Sequence, residues 1–386
     1  HAAPSPSAIG RAASVLGRGG LVAFPTETVY GLGAVAHDAE AVRSIFTAKG
    51  RPATDPLIVH GATAQDVRAV VGGWTSVAGS LAERFWPGPL TLVLPRNDSV
   101  VPEVSAGRDS VAVRVPAHPV ARALLVAVGT PVAAPSANRF GRISPTTAGH
   151  VIEELDGRID MVLDGGPTTL GIESTVLDLT GAVPELLRPG GVTLEDLRDA
   201  VGEVRHAERA VSPESDAAVA PGQFLRHYAP VTPLVMADGG PQLVGELVSS
   251  LTALGRSAVA VELPGDPHVA ARELYGRLRD ADAGPGEVLV VGAVDPSGIG
   301  RAVTERLRAD GHHVATIDLN ASGEDFAHVA DVTDREQVDA ALTAIRAQLG
   351  PVAILVNAAG LDGFKRFTDI GFAEWQRVVD VNLNGV

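Results

Sequence analysis

Near Thr232 the hydrophobic pattern of this chain changes kind, and the change limits what the chain can fold into. From there on, strand and helix signals alternate through Pro233–Ala237, Gln242–Leu254, Ala258–Glu262, Pro267–Arg279 and Glu287–Val291. Regular alternation implies parallel strands, because each return needs a helical crossover. Earlier in the chain there is no such order. Apolar runs at Leu21–Phe24, Leu57–His60, Leu90–Leu94, Val111–Val115, Pro131–Ala134, Met161–Leu163 and Glu173–Leu179 are joined by helices or by turns alone. That irregularity predicts a twisted mixed sheet. Helical periodicity is read at Ala8–Gly17, after Asp38 as far as Lys49, and at Thr63–Val71, Ser76–Phe85 and Val120–Val128. Ser144-Pro145 reads as an N-cap and first-turn proline for a helix reaching Leu155. Glu203 to Gln223 lacks periodicity and reads as a connector. The predicted organisation is therefore a first domain over 1–202, a connector over 203–230, a small α/β domain over 231–297 and a further segment over 298–386.

Composition narrows the function. The chain has 386 residues, enough for two or three domains with full cores. Lys+Arg 31 against Asp+Glu 46 gives a net charge of −15, which disfavours broad binding to nucleic acid or to a membrane surface. There is no cysteine, which removes disulfides, thiolate metal sites and thiol nucleophiles and fits a cytoplasmic location. No run approaches the ~18 apolar residues of a membrane helix, and no signal peptide is visible. Only two lysines occur, Lys49 and Lys365. Lys49 is either kept for its compact ammonium or is one surface cation among many.

The residues that carry chemistry cluster at strand ends. Phe24 to Gly33 runs from a strand into a turn of hydroxyls and glycines, and Lys49 to His60 places a lysine, an arginine and a histidine around a proline-stiffened loop. Candidates along the first domain are Thr28, Lys49, Arg51, His60, Arg114, Ser136, Asn138, Ser144, Ser174 and Arg188. Singly they have bland readings: Ser144 as a helix cap, Arg114 as a carboxylate partner, His60 as a histidine satisfied by hydrogen bonds. Together they predict a basic, hydroxyl-rich cavity for an anionic ligand. No HExxH, no GxSxG and no general-base carboxylate pair is present, so positioning and charge neutralisation would carry the chemistry.

Pro25-Thr26-Glu27-Thr28-Val29-Tyr30-Gly31-Leu32-Gly33, Lys49-Gly50-Arg51-Pro52 with Pro56-Leu57-Ile58-Val59-His60, Ala134-Pro135-Ser136-Ala137-Asn138, Glu173-Ser174-Thr175-Val176 and Arg188-Pro189-Gly190 together resemble the YrdC-like family. Pro221-Gly222 and His227-Tyr228-Ala229-Pro230 resemble the linker of its two-domain form. The likeness spans about residues 8 to 290. It implies a YrdC-like twisted mixed open sheet followed by a small Rossmann-like domain. It also implies a reaction: L-threonine, bicarbonate and ATP give threonylcarbamoyl-AMP and pyrophosphate, with Mg2+ accompanying the ATP. A downstream complex then passes the threonylcarbamoyl group to tRNA, so the chain itself need not bind nucleic acid stably. By resemblance, Thr28, His60, Arg114, Ser174 and the backbone at Ala134 hold threonine. Lys49, Arg51, Asp55, Ser110, Ser136, Asn138, Ser144 and Arg188 hold ATP, with Lys49 and Arg51 as the catalytic pair, and His227 and Tyr228 close over it. Asp55 departs from the family's asparagine, and its charge should weaken ATP binding unless Arg51 or the metal offsets it. Ala220 departs from a serine.

The last segment resembles something else. Gly298-Ile299-Gly300-Arg301, Asp318 at a strand end, Asn357-Ala358-Ala359-Gly360 and Asn382-Leu383-Asn384-Gly385 are similar to the front half of a short-chain dehydrogenase, a truncated Rossmann-like tail. Gly298, Gly300 and Asp318 are its candidates for NAD. The family's Tyr-x-x-x-Lys pair is not reached. Five residues also separate Gly292 from Gly298, where the family has three. Functional NAD binding is therefore not expected, and the two pieces read as a fusion through similar Gly-Ile-Gly-Arg segments. The competing readings are an NAD-dependent oxidoreductase, an RNA-binding module using the same cavity, and a related carbamoyltransferase.

Overall fold

A computed structural model describes residues 3–207, 230–237, 241–253 and 255–292, with the short pieces 316–318 and 327–329 and residues 337, 340 and 344. The chain divides into two compact units, 1–311 and 312–386. In the first, ten strands form one sheet: β1 (Val22–Pro25), β2 (Tyr30–Val35), β3 (Ile58–His60), β4 (Leu90–Pro95), β5 (Ser110–Arg114), β6 (Val132–Ala133), β7 (Met161–Val162), β8 (Thr175–Asp178), β9 (Glu185–Arg188) and β10 (Arg205–His206). Their order is β10-β9-β8-β4-β5-β3-β6-β2-β1-β7. Pairings are mixed: β3 runs parallel to β5 and antiparallel to β6, and β4 antiparallel to β5 and parallel to β8. The mixed sheet expected from the irregular pattern is what forms.

The helices of this part are α1 (Pro6–Gly17), α2 (Ala39–Lys49), α3 (Ala64–Arg68), α4 (Ser76–Phe85), α5 (Pro119–Val128), α6 (Ala148–Leu155) and α7 (Leu194–Val201). Asp38 caps α2 as expected, taking the N–H groups of Glu40 and Ala41 at 3.0 and 3.1 Å. One face of the sheet carries the main core, where α2, α4, α6 and α7 bury Ile45, Leu81, Val151 and Leu197. On the other, α1 and α5 cover β1, β2 and β6 through Leu16, Leu124, Phe24 and Val132. The middle strands of that face keep only a small cluster of Ile58, Val93, Ala112 and Val176.

The smaller sheet is parallel, as alternation requires: β11 (Leu234–Ala237), β12 (Ala258–Val261) and β13 (Val288–Gly292) in the order β11-β13-β12, with α8 (Pro241–Ala253) and α9 (Pro267–Asp282). In the second unit β14 (Thr316–Asp318) pairs in parallel with β15 (Ala327–Val329).

Four sequence expectations change. Tyr30–Val35, read as a glycine-rich turn, is a strand antiparallel to β1. Its glycines hide it, because they make poor strand formers. Gly33 is needed there, since a Cβ would lie 2.8 Å from the Phe24 ring and 2.9 Å from Val132. The helix predicted over 63–71 is limited to Ala64–Arg68. Ser144 does not cap α6: Thr147 does, taking the His150 N–H at 3.3 Å, which leaves the Ser144 hydroxyl for another partner. Finally, β10 pairs with β9 inside the stretch read as connector, so the first sheet extends past residue 202.

Candidate functional site

Strand alternation builds the site. Residues two apart point to one face, which places Ile58 and His60, Ala112 and Arg114, and Val132 and Ala134 on the half-covered side of the sheet. β8 begins and β9 ends at the same edge as Arg114, which brings Ser174 and Arg188 there. The pocket on this face holds about 440 Å³ of empty space, counting its open mouth. Thr26, Thr28, Arg51, His60, Arg114, Ala134, Ser136, Glu173, Ser174 and Arg188 are among its lining residues.

Each cation is fixed in place. Arg114 donates through Nε to the Gly88 carbonyl at 3.1 Å, through Nη1 to Thr28 Oγ1 at 3.0 Å and through Nη2 to Glu27 Oε1 at 2.6 Å. Glu27 also accepts the Ala117 N–H at 2.9 Å. Burial raises the Glu27 carboxyl, but the charge and hydrogen bond of Arg114 outweigh it and hold the group below its ordinary value. Arg51 donates to the carbonyls of Asp55 and Pro56 at 3.2 and 2.8 Å and pairs with Asp55 Oδ1 at 2.9 Å. Arg188 donates through Nε and Nη2 to the carbonyl and hydroxyl of Ser174, both at 3.1 Å.

Lys49 ends α2 at 2 % exposure, which rules out the surface-cation reading. Its ammonium donates to the Ser136 carbonyl at 2.6 Å and to that of Asn138. Burial first, then the charge of Arg51, hold its amine well below the ordinary lysine value. His60 pairs in register with Arg114, and its Nδ1 donates to the Ile58 carbonyl at 3.0 Å. Burial, then the Arg114 charge, lower His60 to about 3. It is a neutral imidazole that orients by hydrogen bonding rather than by charge.

Several predicted residues flank the pocket without lining it. Asn138 turns back on its own loop, donating to the Arg139 and Arg142 carbonyls, and its buried Oδ1 accepts no hydrogen bond. Ser144 donates to Glu173 Oε1 at 2.6 Å. The Asp55 charge is met by Arg51, so it anchors that guanidinium. Ser110 opens β5 four residues from Arg114, roughly 13 Å away at ~3.3 Å per residue, and stands apart from the pocket. His227 and Tyr228 lie outside the described residues, as do Gly298 and Gly300, while Asp318 ends β14.

Residue-by-residue reading missed Glu27, Glu173, Thr26 and Thr91. Thr26 Oγ1 accepts the N–H groups of Thr28 and Val29 at 3.2 Å and shares a hydrogen with Thr28 Oγ1 at 2.8 Å, which shapes the turn. Thr91 does the same for Ser174 at 2.8 Å. The available signal was an acid next to a hydroxyl residue at a strand end, twice: Thr26-Glu27-Thr28 and Glu173-Ser174.

Known proteins resemble this chain. Residues 14–190 match the Sua5–YciO–YrdC family model, described as telomere recombination, and residues 192–309 match the threonylcarbamoyl-AMP synthase C-terminal domain. The threonylcarbamoyl-AMP synthase of Bacillus subtilis is 41% identical over 317 residues, 78% of this chain and 91% of that one. That of Pyrococcus abyssi is 43% identical over 322 residues, 79% of this chain and 95% of that one. This chain belongs to the Sua5/YrdC family of threonylcarbamoyl-AMP synthases. The crystal structure of P. abyssi Sua5 complexed with L-threonine is similar at a TM-score of 0.77 and 41% identity, covering 80% of this chain and 95% of that one. A variant of the same protein with an adjacent His–Tyr pair changed to alanine is similar at 0.75. Residues 287–386 match the short chain dehydrogenase model, which overlaps the synthase match over 287–309.

Proposed function

We propose that the cup binds L-threonine against Thr28, His60, Arg114, Ala134 and Ser174, and lays the ATP triphosphate along Lys49, Arg51 and Arg188. The observation that carries this reading is the convergence of three buried arginines and several hydroxyls on one pocket, Arg51, Arg114 and Arg188 with Thr28, Ser136 and Ser174. Threonine's amine attacks bicarbonate and, with loss of water, becomes a carbamate. A carbamate oxygen then attacks the α-phosphorus, the bond to the bridging oxygen breaks, and pyrophosphate leaves with the electron pair. Every reactant is an anion, so the task is to hold like charges together and to screen the leaving group.

Arg114 suits threonine's carboxylate, since its fork is pinned at three points and each terminal nitrogen keeps a second N–H to donate. Thr28 and Ser174 supply hydroxyl contacts of threonine's own size. Lys49 and Arg51 stand beside the phosphates, Ser110, Asn138 and Ser144 frame the nucleotide site from outside the pocket, and His227 and Tyr228 close from the linker. Asp55 acts through Arg51. Magnesium accompanies the triphosphate and asks no dedicated cluster of the protein. No group of three or more acidic or histidine side chains able to hold a metal is found among the described residues. The product passes to a complex that modifies tRNA.

The test is pyrophosphate release from ATP with threonine and bicarbonate omitted in turn, alongside an NAD titration. Release is expected only when all three substrates are present, and release without threonine overturns the proposal.

A further inference from the structure

We propose that Tyr275, on α9 of the smaller domain, is a positioning residue for threonine, acting through Glu173; the inference rests on the function proposed above. Glu173 lies on the wall of the cup, and its two carboxylate oxygens are held from different parts of the chain. Ser144 donates to Oε1 and Tyr275 donates to Oε2, each at 2.6 Å. Both distances lie at the short end of the hydroxyl–oxygen range. The Tyr275 ring is wholly buried among Leu274, Leu278 and Ile172, so its hydroxyl is presented from a locked side chain.

The backbone of α9 touches the same loop. Gly171 has φ +82°, and a Cβ there would lie 2.4 Å from the Arg272 carbonyl oxygen and 2.5 Å from the Arg272 Cα. The next two residues after this contact are Ile172, which packs on α9, and Glu173. Arg279, one turn along from Tyr275, donates to the Ile143 carbonyl and pairs with Glu154 at 2.5 Å. One helix thus grips both segments that meet at Glu173, the one carrying Ser144 and the one carrying Ser174. Ser174 in turn takes Arg188 Nη2 at 3.1 Å. Removing the Tyr275 hydroxyl takes away a donor to one arm of the carboxylate, and the wall presenting Ser174 loosens on the scale that matters for positioning.

The experiment is steady-state pyrophosphate release by the full chain and by the variants Tyr275→Phe, Glu173→Gln and the double variant, with thermal melting of each. Tyr275→Phe should raise KM for threonine about tenfold while KM for ATP holds within about twofold. Adding Tyr275→Phe to Glu173→Gln should bring no further rise. An unchanged threonine KM in Tyr275→Phe overturns the inference. So do additive effects in the double variant, which would mark Tyr275 as a packing residue only. If Tyr275→Phe does not fold, Glu173→Gln carries the test, and an unchanged threonine KM there overturns the inference as well. A parent chain with no threonine-dependent release overturns the functional reading and this inference with it. An active parent with an indifferent Tyr275→Phe overturns the inference alone.

Discussion

His60 makes a prediction that separates its charge from its place. Its imidazole is 3 % exposed and lowered from 6.5 to about 3 by burial and by Arg114. In the unfolded chain the same ring takes a proton as pH falls through 6.5, whereas the folded chain refuses one until about 3. The unfolded state therefore binds more protons across that window, and stability is lost as pH falls. Shifted by about three and a half pH units at about 1.4 kcal/mol each, this one residue removes about 5 kcal/mol over the whole window. About 2 kcal/mol of it goes between pH 7 and pH 5. Glu27 acts in the same direction, because a carboxyl held low also loses its stabilising contribution in acid. The measurement must therefore be a difference. Urea unfolding at pH 7, 6 and 5 is compared between the parent chain and His60→Asn, which does not titrate. The gap between them should change by about 2 kcal/mol, with the parent losing more. A gap that stays constant from pH 7 to 5 refutes a neutral, buried His60.

Lys49→Met should abolish threonine-dependent pyrophosphate release while the chain still folds, because methionine fills the buried stem and asks for no charge; retained release refutes the assignment. Arg51→Ala should abolish release too, but it leaves the buried Asp55 without its guanidinium and should cost about 3 kcal/mol or more in unfolding. Pairing it with Asp55→Asn should restore most of that stability and none of the activity, as read by melting and pyrophosphate assay. Removing residues 312–386, the second compact unit, should leave kcat and both KM values within about twofold of the full chain. A larger loss would give the tail a part in the reaction.

The sequence shows where strands end better than how they pair. Alternation after Thr232 predicts the parallel β11-β13-β12 sheet, and the irregular first part predicts a mixed one. The strand Tyr30–Val35 escapes because Gly31 and Gly33 carry no strand propensity; the reason for Gly33 is the Phe24 ring packed against it, a contact made across the sheet. Ser144-Pro145 matches an N-cap locally, and only the distant Glu173 shows why the hydroxyl goes elsewhere. The cations were legible as a set because Arg114 and Arg188 end strands and Lys49 and Arg51 flank Gly50 at the end of a helix. Asp55, four residues from Arg51, was legible beside it, but the counter-ion of Arg114 was not, since Glu27 reaches it across 87 residues. Lys49 stood open between two readings until burial decided it.

The pairing of those cations explains how a site for several anions can exist before any anion arrives. Three arginines on one pocket, with Lys49 near enough to feel the Arg51 charge, would repel one another, and burial would penalise each charge. The chain answers in two ways. Glu27 and Asp55 meet Arg114 and Arg51 directly, at 2.6 and 2.9 Å, and main-chain carbonyls take further guanidinium and ammonium hydrogens. Lys49 answers differently, through an amine held well below its ordinary value by burial and by Arg51. The guanidiniums are therefore held in place by the chain's own acids and carbonyls before any anion arrives.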